Sequence, residues 1–179
     1  GYGLKPSQAV PAVMEANLAA QGLPVRILNA GVSGNTSGDA LARFNTDVPR
    51  DAQGILIAIG ANDMLQLYPP KYLAGNLRAM IERAKSRNLK VALAGMQVPF
   101  FIRGSYQEQF DAVYPTLARE FDAPLYPFLL DGVMLNPDLN QDDGIHPNAA
   151  GARAIADRLT PFVESAFELA ATRAGAVQL

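Results

Sequence analysis

The sequence contains no cysteine, a single histidine and few charged residues, which make up 18% of its 179 residues. The absence of cysteine excludes disulfides, thiolate metal sites and a cysteine nucleophile. Lysine and arginine are scattered singly without a basic stripe, so we do not expect nucleic acid as a partner. The longest apolar runs, such as residues 55–59, have the length of a strand and are too short to span a membrane.

Apolar residues make up 49% of the chain, and their spacing alternates between the periods of helices and strands. Continuous apolar runs predict strands at 25–28, 55–59, 90–94 and 125–126. Apolar stripes predict helices carried by Val10, Val13, Met14 and Leu18; by Leu73, Leu77, Met80, Ile81 and Ala84; by Phe110, Val113, Tyr114, Leu117 and Phe121; and by Ala152, Ile155, Ala156, Leu159 and Val163. Strands separated by such helices pair in parallel. We therefore predict one α/β domain over residues 1–179, a three-layer α/β/α sandwich with a parallel sheet, whose tail frays after Leu169.

Three polar clusters follow predicted strands or precede the last predicted helix: residues 33–36, 60–63 and 142–147. Open α/β sheets bind ligands at the carboxyl ends of their strands, so we expect these clusters to form one site. His146 is the only histidine, and any imidazole general base must therefore be this residue. Asp143, three residues earlier across Gly144, is spaced to fold its carboxylate back onto Nδ1. The alternative interpretation is a helix N-terminus with Pro147 at its first position, and Asp142 fits a solvated neighbour.

Asn62 and Gly34 are candidate donors to an oxyanion. Asn62 offers a side-chain amide where a strand ends, and Gly34 can present a backbone N–H that no Cβ obstructs. Each also fits an ordinary turn, with Ser33 or Ser37 capping the helix that follows.

The segments NAGVSGNT, GAND and DDGIHPN, in this order and spacing, resemble blocks II, III and V of the SGNH (GDSL) hydrolase superfamily. Within it, residues 1 to about 160 are most similar to the bacterial arylesterase, acyl-CoA thioesterase I and lysophospholipase L1 group. The resemblance implies a flavodoxin-like fold with a five-stranded parallel sheet, and serine-dependent hydrolysis of small acyl or aryl esters or thioesters. It implies Gly34 and Asn62 as oxyanion donors, Asp143 as the orienting acid and His146 as the base. It implies no metal or cofactor, and a periplasmic or secreted location.

The chain departs from the family pattern at its start. The predicted alternation opens with a helix, and Gly1-Tyr2 stands where the family's nucleophile block, a GDSL-type strand end, has just ended. None of the serines has a GDS context, and Ser33 is disfavoured as a substitute nucleophile because its neighbour Gly34 matches the family's functional position. We expect the block to lie upstream, its strand between 25–28 and 55–59. Residues 1–179 alone are then expected to be neither stable nor active.

Two loops are more apolar than in the resembled group: Pro99 to Arg103 and Met64 to Leu67. We expect an acyl or aryl groove lined by residues near the blocks: Met64, Leu65, Leu67, Phe100, Phe101 and Ile145. The alternative is ordinary core or loop packing. Two other functions stay open, a catalytically inactive acyl- or glycan-binding module and a polysaccharide O-acetyl esterase. The oligomeric state is not predicted.

Overall fold

The computed structural model describes residues 1–99, 101–102 and 104–169. A 3₁₀ turn at Pro6–Gln8 is followed in chain order by α1 (Val10–Ala20), α2 (Ser37–Ala42), α3 (Phe44–Asp47), β1 (Gly54–Ile57), α4 (Ala61–Leu65), α5 (Pro70–Ser86), β2 (Lys90–Ala94), α6 (Ser105–Asp111), α7 (Val113–Phe121), β3 (Leu125–Tyr126) and α8 (Ala149–Ala166). Two compact units result, residues 32–130 and residues 1–31 with 131 onward. Among the described residues, no helix is long and apolar enough to cross a membrane.

The unit of residues 32–130 contains the sheet, whose strands pair in parallel in the order β1-β2-β3. Gly54 lies opposite Lys90, Ile57 opposite Leu93, and Leu93 in turn opposite Leu125. Apart from Lys90, β2 is buried along its length, which explains its near-continuous apolar sequence. The core around it takes its largest helical share from α5, through Leu73, Leu77, Met80, Ile81 and Ala84. These residues form the predicted stripe at helical spacing, so sequence period and observed packing agree.

The second unit is built on α1 and α8, which pack against each other. Val13, Met14 and Leu18 of α1 are buried, and α8 buries the predicted stripe of Ala152, Ile155, Ala156, Leu159 and Val163. Beside these apolar residues, the Asn17 amide donates to Asp157 at 2.9 Å and to the Thr160 hydroxyl at 3.3 Å. The start of α8 is fixed by Asn148, whose side chain accepts from the backbone of Ala150 and Gly151.

The predicted strand at 25–28 is wrong. A strand exists only through a hydrogen-bonded neighbour, and no described residue forms a ladder with this segment. Instead, the backbone N–H of Ile27 donates to the carboxylate of Glu15 on α1. The strand predicted at 55–59 is displaced by one residue at its start and ends at Ile57. The other two predicted strands are confirmed, and the predicted fraying after Leu169 concerns residues outside the described ones.

The third predicted helix is two helices, α6 and α7, separated at Ala112. Pro115 explains the break. Its nitrogen carries no hydrogen to donate to the carbonyl of Asp111, and its ring collides with that carbonyl in a continuous helix. The apolar stripe nevertheless continues across the break, with Phe110, Val113, Tyr114 and Leu117 all buried.

Candidate active site

Asp143 and His146 contact each other directly. The Oδ2 atom of Asp143 lies 2.7 Å from Nδ1 of His146, and both side chains are partly exposed to solvent. The other carboxylate oxygen, Oδ1, accepts the backbone N–H groups of Ile145 and His146, each at 2.9 Å. The carboxylate is therefore fixed by the same short loop that carries the imidazole.

This loop is closed on both sides by backbone hydrogen bonds. Gln141 donates its N–H to the carbonyl of His146 at 2.8 Å, and Asn148 donates to Leu139 at 2.9 Å. At the turn, Gly144 adopts a φ of 68° and donates to the carbonyl of Gln141 at 2.9 Å. A glycine is favoured there because a side chain is strained at positive φ. The Asp-Gly-Ile-His spacing thus makes a tight turn that returns the histidine to its aspartate.

The hydrogen bonds to Asp143 lower its pKa from 3.8 to about 2. The backbone N–H of His146 contributes most, followed by that of Ile145 and then by the imidazole. Asp143 is therefore ionised at neutral pH, and its carboxylate accepts a hydrogen bond from the Nδ1–H group of His146. In neutral imidazole the other nitrogen, Nε2, is then the basic one, as a general base requires.

The alternative interpretation of this segment, a helix beginning at Pro147, is wrong. Helix α8 begins at Ala149 with Asn148 as its N-cap. The Asn148 amide also donates to the carbonyls of Asp138 and Asn140, at 2.9 and 3.0 Å. Asn148 satisfies the helix end by itself, so capping does not require Asp143.

A hydrogen bond joins the turn that contains Gly34 to the short helix that contains Asn62. The Asn62 amide nitrogen donates to the carbonyl of Asn35, the residue after Gly34, at 3.0 Å. A primary amide carries two hydrogens, so the second remains available to another acceptor. Gly34 adopts a φ of 81°, and its N–H donates to no described residue. Both groups have the donor capacity that oxyanion binding needs.

The turn interpretation of these residues is only partly correct. Asn62 lies in the short helix α4, whose N-cap Gly60 has a φ of 125°. The following helix, α2, is capped by Thr36 rather than by Ser33 or Ser37, and the Asp39 carboxylate in turn accepts a hydrogen bond from the Thr36 backbone N–H. The sequence pattern Thr-x-x-Asp, a variant of the capping box, contained the signal for this cap.

Asp63 was not singled out in the sequence, and it is fully buried. Its carboxylate accepts the backbone N–H of Ser37 at 2.8 Å and the Ser37 hydroxyl, which also accepts from the Asn76 amide at 2.9 Å. This network connects the residue after Asn62 to the start of α2. In the sequence, an aspartate that follows a strand looks like an ordinary turn residue. The pattern therefore did not reveal that Asp63 is buried.

Comparison with known proteins identifies the family of this chain. Residues 1–154 match the model of the GDSL-like lipase/acylhydrolase family. The chain belongs to this family. It is 35% identical to the thioesterase 1/protease 1/lysophospholipase L1 of Escherichia coli K12 over 91% of this chain and 79% of the relative, and 32% identical to an arylesterase of Vibrio mimicus over 88% and 79%.

Solved structures agree with this membership. The crystal structure of TesA shares 34% identity and a TM-score of 0.86, covering 91% of both chains. The esterase EstA from Pseudoalteromonas sp., solved with monoethylphosphonate inhibition, shares 27% identity and a TM-score of 0.85, covering 92% of this chain and 90% of EstA. The predicted α/β class with a parallel sheet is thereby confirmed as the SGNH hydrolase fold.

The residues predicted to line an acyl groove differ in exposure in this GDSL-family chain. Met64 belongs to the hydrophobic core, as the packing alternative expected. Leu65, Phe101 and Ile145 are exposed, and so is Leu67, with a φ of 54°. Phe100 lies outside the described residues. A groove role for these residues stays a prediction.

Proposed function

We propose that this protein hydrolyses carboxylic esters or thioesters through a serine nucleophile and an acyl-enzyme. The observation that carries the proposal is the Asp143–His146 pair, with Oδ2 2.7 Å from Nδ1 and Nε2 left as the basic nitrogen. Family membership supports it, because the named relatives are a thioesterase, an arylesterase and an esterase. A binding module without turnover is not favoured, since these relatives are hydrolases.

In the proposed mechanism, Nε2 of His146 takes the proton of the serine hydroxyl while its oxygen attacks the carbonyl carbon. Asp143, held ionised, stabilises the imidazolium that forms. The N–H of Gly34 and the free amide hydrogen of Asn62 donate to the oxyanion. His146 then gives its proton to the leaving alcohol or thiol, and the carbonyl re-forms as an acyl-enzyme. Water, deprotonated by His146, then attacks the acyl-enzyme. The bond between the acyl carbon and the serine oxygen breaks, His146 returns the proton to that oxygen, and the acid is released.

We further propose an acyl or aryl ester of a small molecule as the substrate class. The exposed apolar side chains of Leu65, Leu67 and Phe101 support it, because a site for an acyl or aryl group is lined mainly by apolar side chains that the ligand can reach. The family resemblance also leads us to propose a bacterial protein of lipid metabolism in the periplasm or secreted. Fractionation of the source cells, with activity assayed in each fraction, tests the location.

The test of the reaction is covalent trapping together with turnover. In the complete protein, we expect hydrolysis of p-nitrophenyl acetate and of an acyl-CoA, and one phosphonyl group added per protein by a p-nitrophenyl alkylphosphonate. Peptide mapping of the adduct identifies the nucleophilic serine. The His146→Ala variant should label far more slowly, and denatured protein should not label. Turnover without a serine adduct, or neither turnover nor labelling, would contradict the proposal.

A further inference from the structure

The aromatic ring of Tyr2 lies against the imidazole of His146. Their ring centroids are 4.4 Å apart and the planes are inclined by 35°. Tyr2 is 54% exposed, so burial in a hydrophobic core does not explain its position. The contact covers one face of the imidazole, whereas the Asp143 carboxylate reaches the ring edge at Nδ1.

The segment carrying Tyr2 is attached to the histidine loop by one side chain. The Gln141 amide nitrogen donates to the carbonyl of Tyr2 at 2.7 Å and to that of Pro147 at 3.0 Å, so it bridges the two segments. Gln141 is also the residue whose backbone N–H closes the loop on His146. Its side chain therefore fixes Tyr2 relative to the loop that positions the imidazole.

Gly3 makes this attachment possible. It adopts a φ of 68°, and a Cβ on this residue would lie 2.3 Å from Oε1 of Gln141. A side chain at this position would push Gln141 away from the carbonyl of Tyr2. The turn is completed by the N–H of Leu4, which donates to the carbonyl of Gly1 at 3.1 Å.

The two contacts on His146 restrict different motions. A hydrogen bond at Nδ1 fixes the direction of one ring atom but allows the ring to tilt about that bond. Packing against a ring face opposes this tilt, and tilt changes where Nε2 points. A tyrosine face also attracts the imidazolium that forms when Nε2 takes a proton. Both effects favour proton transfer more than substrate binding.

We propose that Tyr2 is a positioning residue that holds the His146 imidazole through its ring face, and that Gln141 holds Tyr2 in place. The inference rests on the proposed function, in which His146 is the general base. It adds to that function a residue that acts through the histidine and not on the substrate.

The test compares Tyr2→Ala with Tyr2→Phe in the complete protein. Loss of one aromatic contact should lower kcat about fivefold to tenfold in Tyr2→Ala, with KM changed less than about twofold. Tyr2→Phe should keep wild-type kcat, because the ring and not the hydroxyl makes the contact. Wild-type kcat in Tyr2→Ala, an equal loss in Tyr2→Phe, or a change confined to KM would overturn the proposal.

A second readout is independent of turnover. The Tyr2 ring should shift the imidazole proton resonances of His146 through its ring current, and the assignment is simple because the chain has one histidine. The shift should persist in Tyr2→Phe and vanish in Tyr2→Ala. If the protein proves not to hydrolyse esters, the ring-current shift still tests the contact. A shift that persists in Tyr2→Ala would overturn the proposed contact.

Gln141→Ala tests the attachment, with Gln8→Ala as the matched control. Gln8 also binds a backbone group of the same segment, accepting the N–H of Lys5 at 3.1 Å, but the bond is local to the 3₁₀ turn. We expect Gln141→Ala to lose the ring-current shift and Gln8→Ala to keep it. In a Tyr2→Ala background, Gln141→Ala should add less than about twofold to the loss of kcat. Additive losses would mean that Gln141 does not act through Tyr2.

Discussion

At the scale of single residues, His146 carries every proton transfer of the proposed mechanism. The sequence holds no second histidine to replace it. In the complete protein, we expect His146→Ala to lower kcat by roughly 10³-fold or more, measured with p-nitrophenyl acetate. Because the side chain is partly exposed, the melting temperature by circular dichroism should change little. Retention of most of the activity would contradict the assignment of the base.

The acidity of Asp143 is a second prediction at this scale. Backbone N–H groups contribute more than the imidazole to its lowered pKa. Carboxyl ¹³C NMR should therefore show a pKa near 2 in the wild type and a value still below 3.8 in His146→Ala. The direction of the effect on stability follows from this shift. Because folding lowers the pKa of Asp143, the ionised carboxylate stabilises the folded protein at pH values above the unfolded pKa near 3.8. This contribution is lost as the pH falls toward 2. A pKa of 3.8 or above in His146→Ala would show that the imidazole dominates.

Asn62 gives a third prediction. In the complete protein, we expect replacement of this proposed oxyanion donor with alanine to lower kcat by about 10²–10³-fold. The variant also loses the bond to the carbonyl of Asn35, so its melting curve is required beside its kinetics. Asn17→Ala is the control. It loses the two hydrogen bonds that the Asn17 side-chain amide on α1 donates, and it should keep wild-type kcat. A change in KM alone would mean that Asn62 binds only the ground state.

At the scale of elements, the buried carboxylate of Asp63 depends on the start of α2. Ser37→Ala removes the hydroxyl donor of a fully buried acid and leaves the Asn76 amide without its acceptor. We expect a loss of about 1–3 kcal/mol in the free energy of unfolding by urea. Ser86→Ala is the matched control, because its exposed hydroxyl donates only to Arg83 within the last turn of α5. Equal losses of unfolding free energy in the two variants would contradict a special role of the buried Asp63 carboxylate.

The same elements show what could be predicted from sequence and why the rest could not. The stripe on α5 and the buried run of β2 follow from period and burial, which are local properties of sequence. The break at Ala112 follows from Pro115, which the apolar stripe conceals because the stripe continues through it. The error at 25–28 has another cause, since pairing depends on a neighbour that local sequence does not specify.

At the site, the pattern predicted residue types and one local contact, but it left the partners that are distant in sequence undetermined. A spacing of three across Gly144 was enough to place Asp143 on Nδ1 of His146. The buried network of Asp63 and the contact of Tyr2 with His146 join segments distant in sequence, and neither changes the local pattern. Such contacts follow only from the folded chain.

At the scale of the whole molecule, substrate preference depends on the exposed apolar surface. Leu67 is 68% exposed at a φ of 54°, a conformation that costs a leucine free energy and that asparagine tolerates. A strained, exposed leucine brings no stability, and we propose that the Leu67 side chain contacts the acyl chain of the substrate. We predict that Leu67→Asn lowers kcat/KM for long-chain p-nitrophenyl esters relative to the acetate.

The chain supplies a matched control for this prediction. Leu135 is 50% exposed with a φ of 63°, so Leu135→Asn makes the same chemical change in the same backbone conformation. Both variants should melt at the wild-type temperature or slightly above it, because asparagine relieves the strain. Only Leu67→Asn should change the ratio between long and short esters. The change should be graded, since a methylene in a pocket is worth about 1–3 kcal/mol. If the ratio stays constant in Leu67→Asn, or changes equally in Leu135→Asn, Leu67 does not contact the acyl chain.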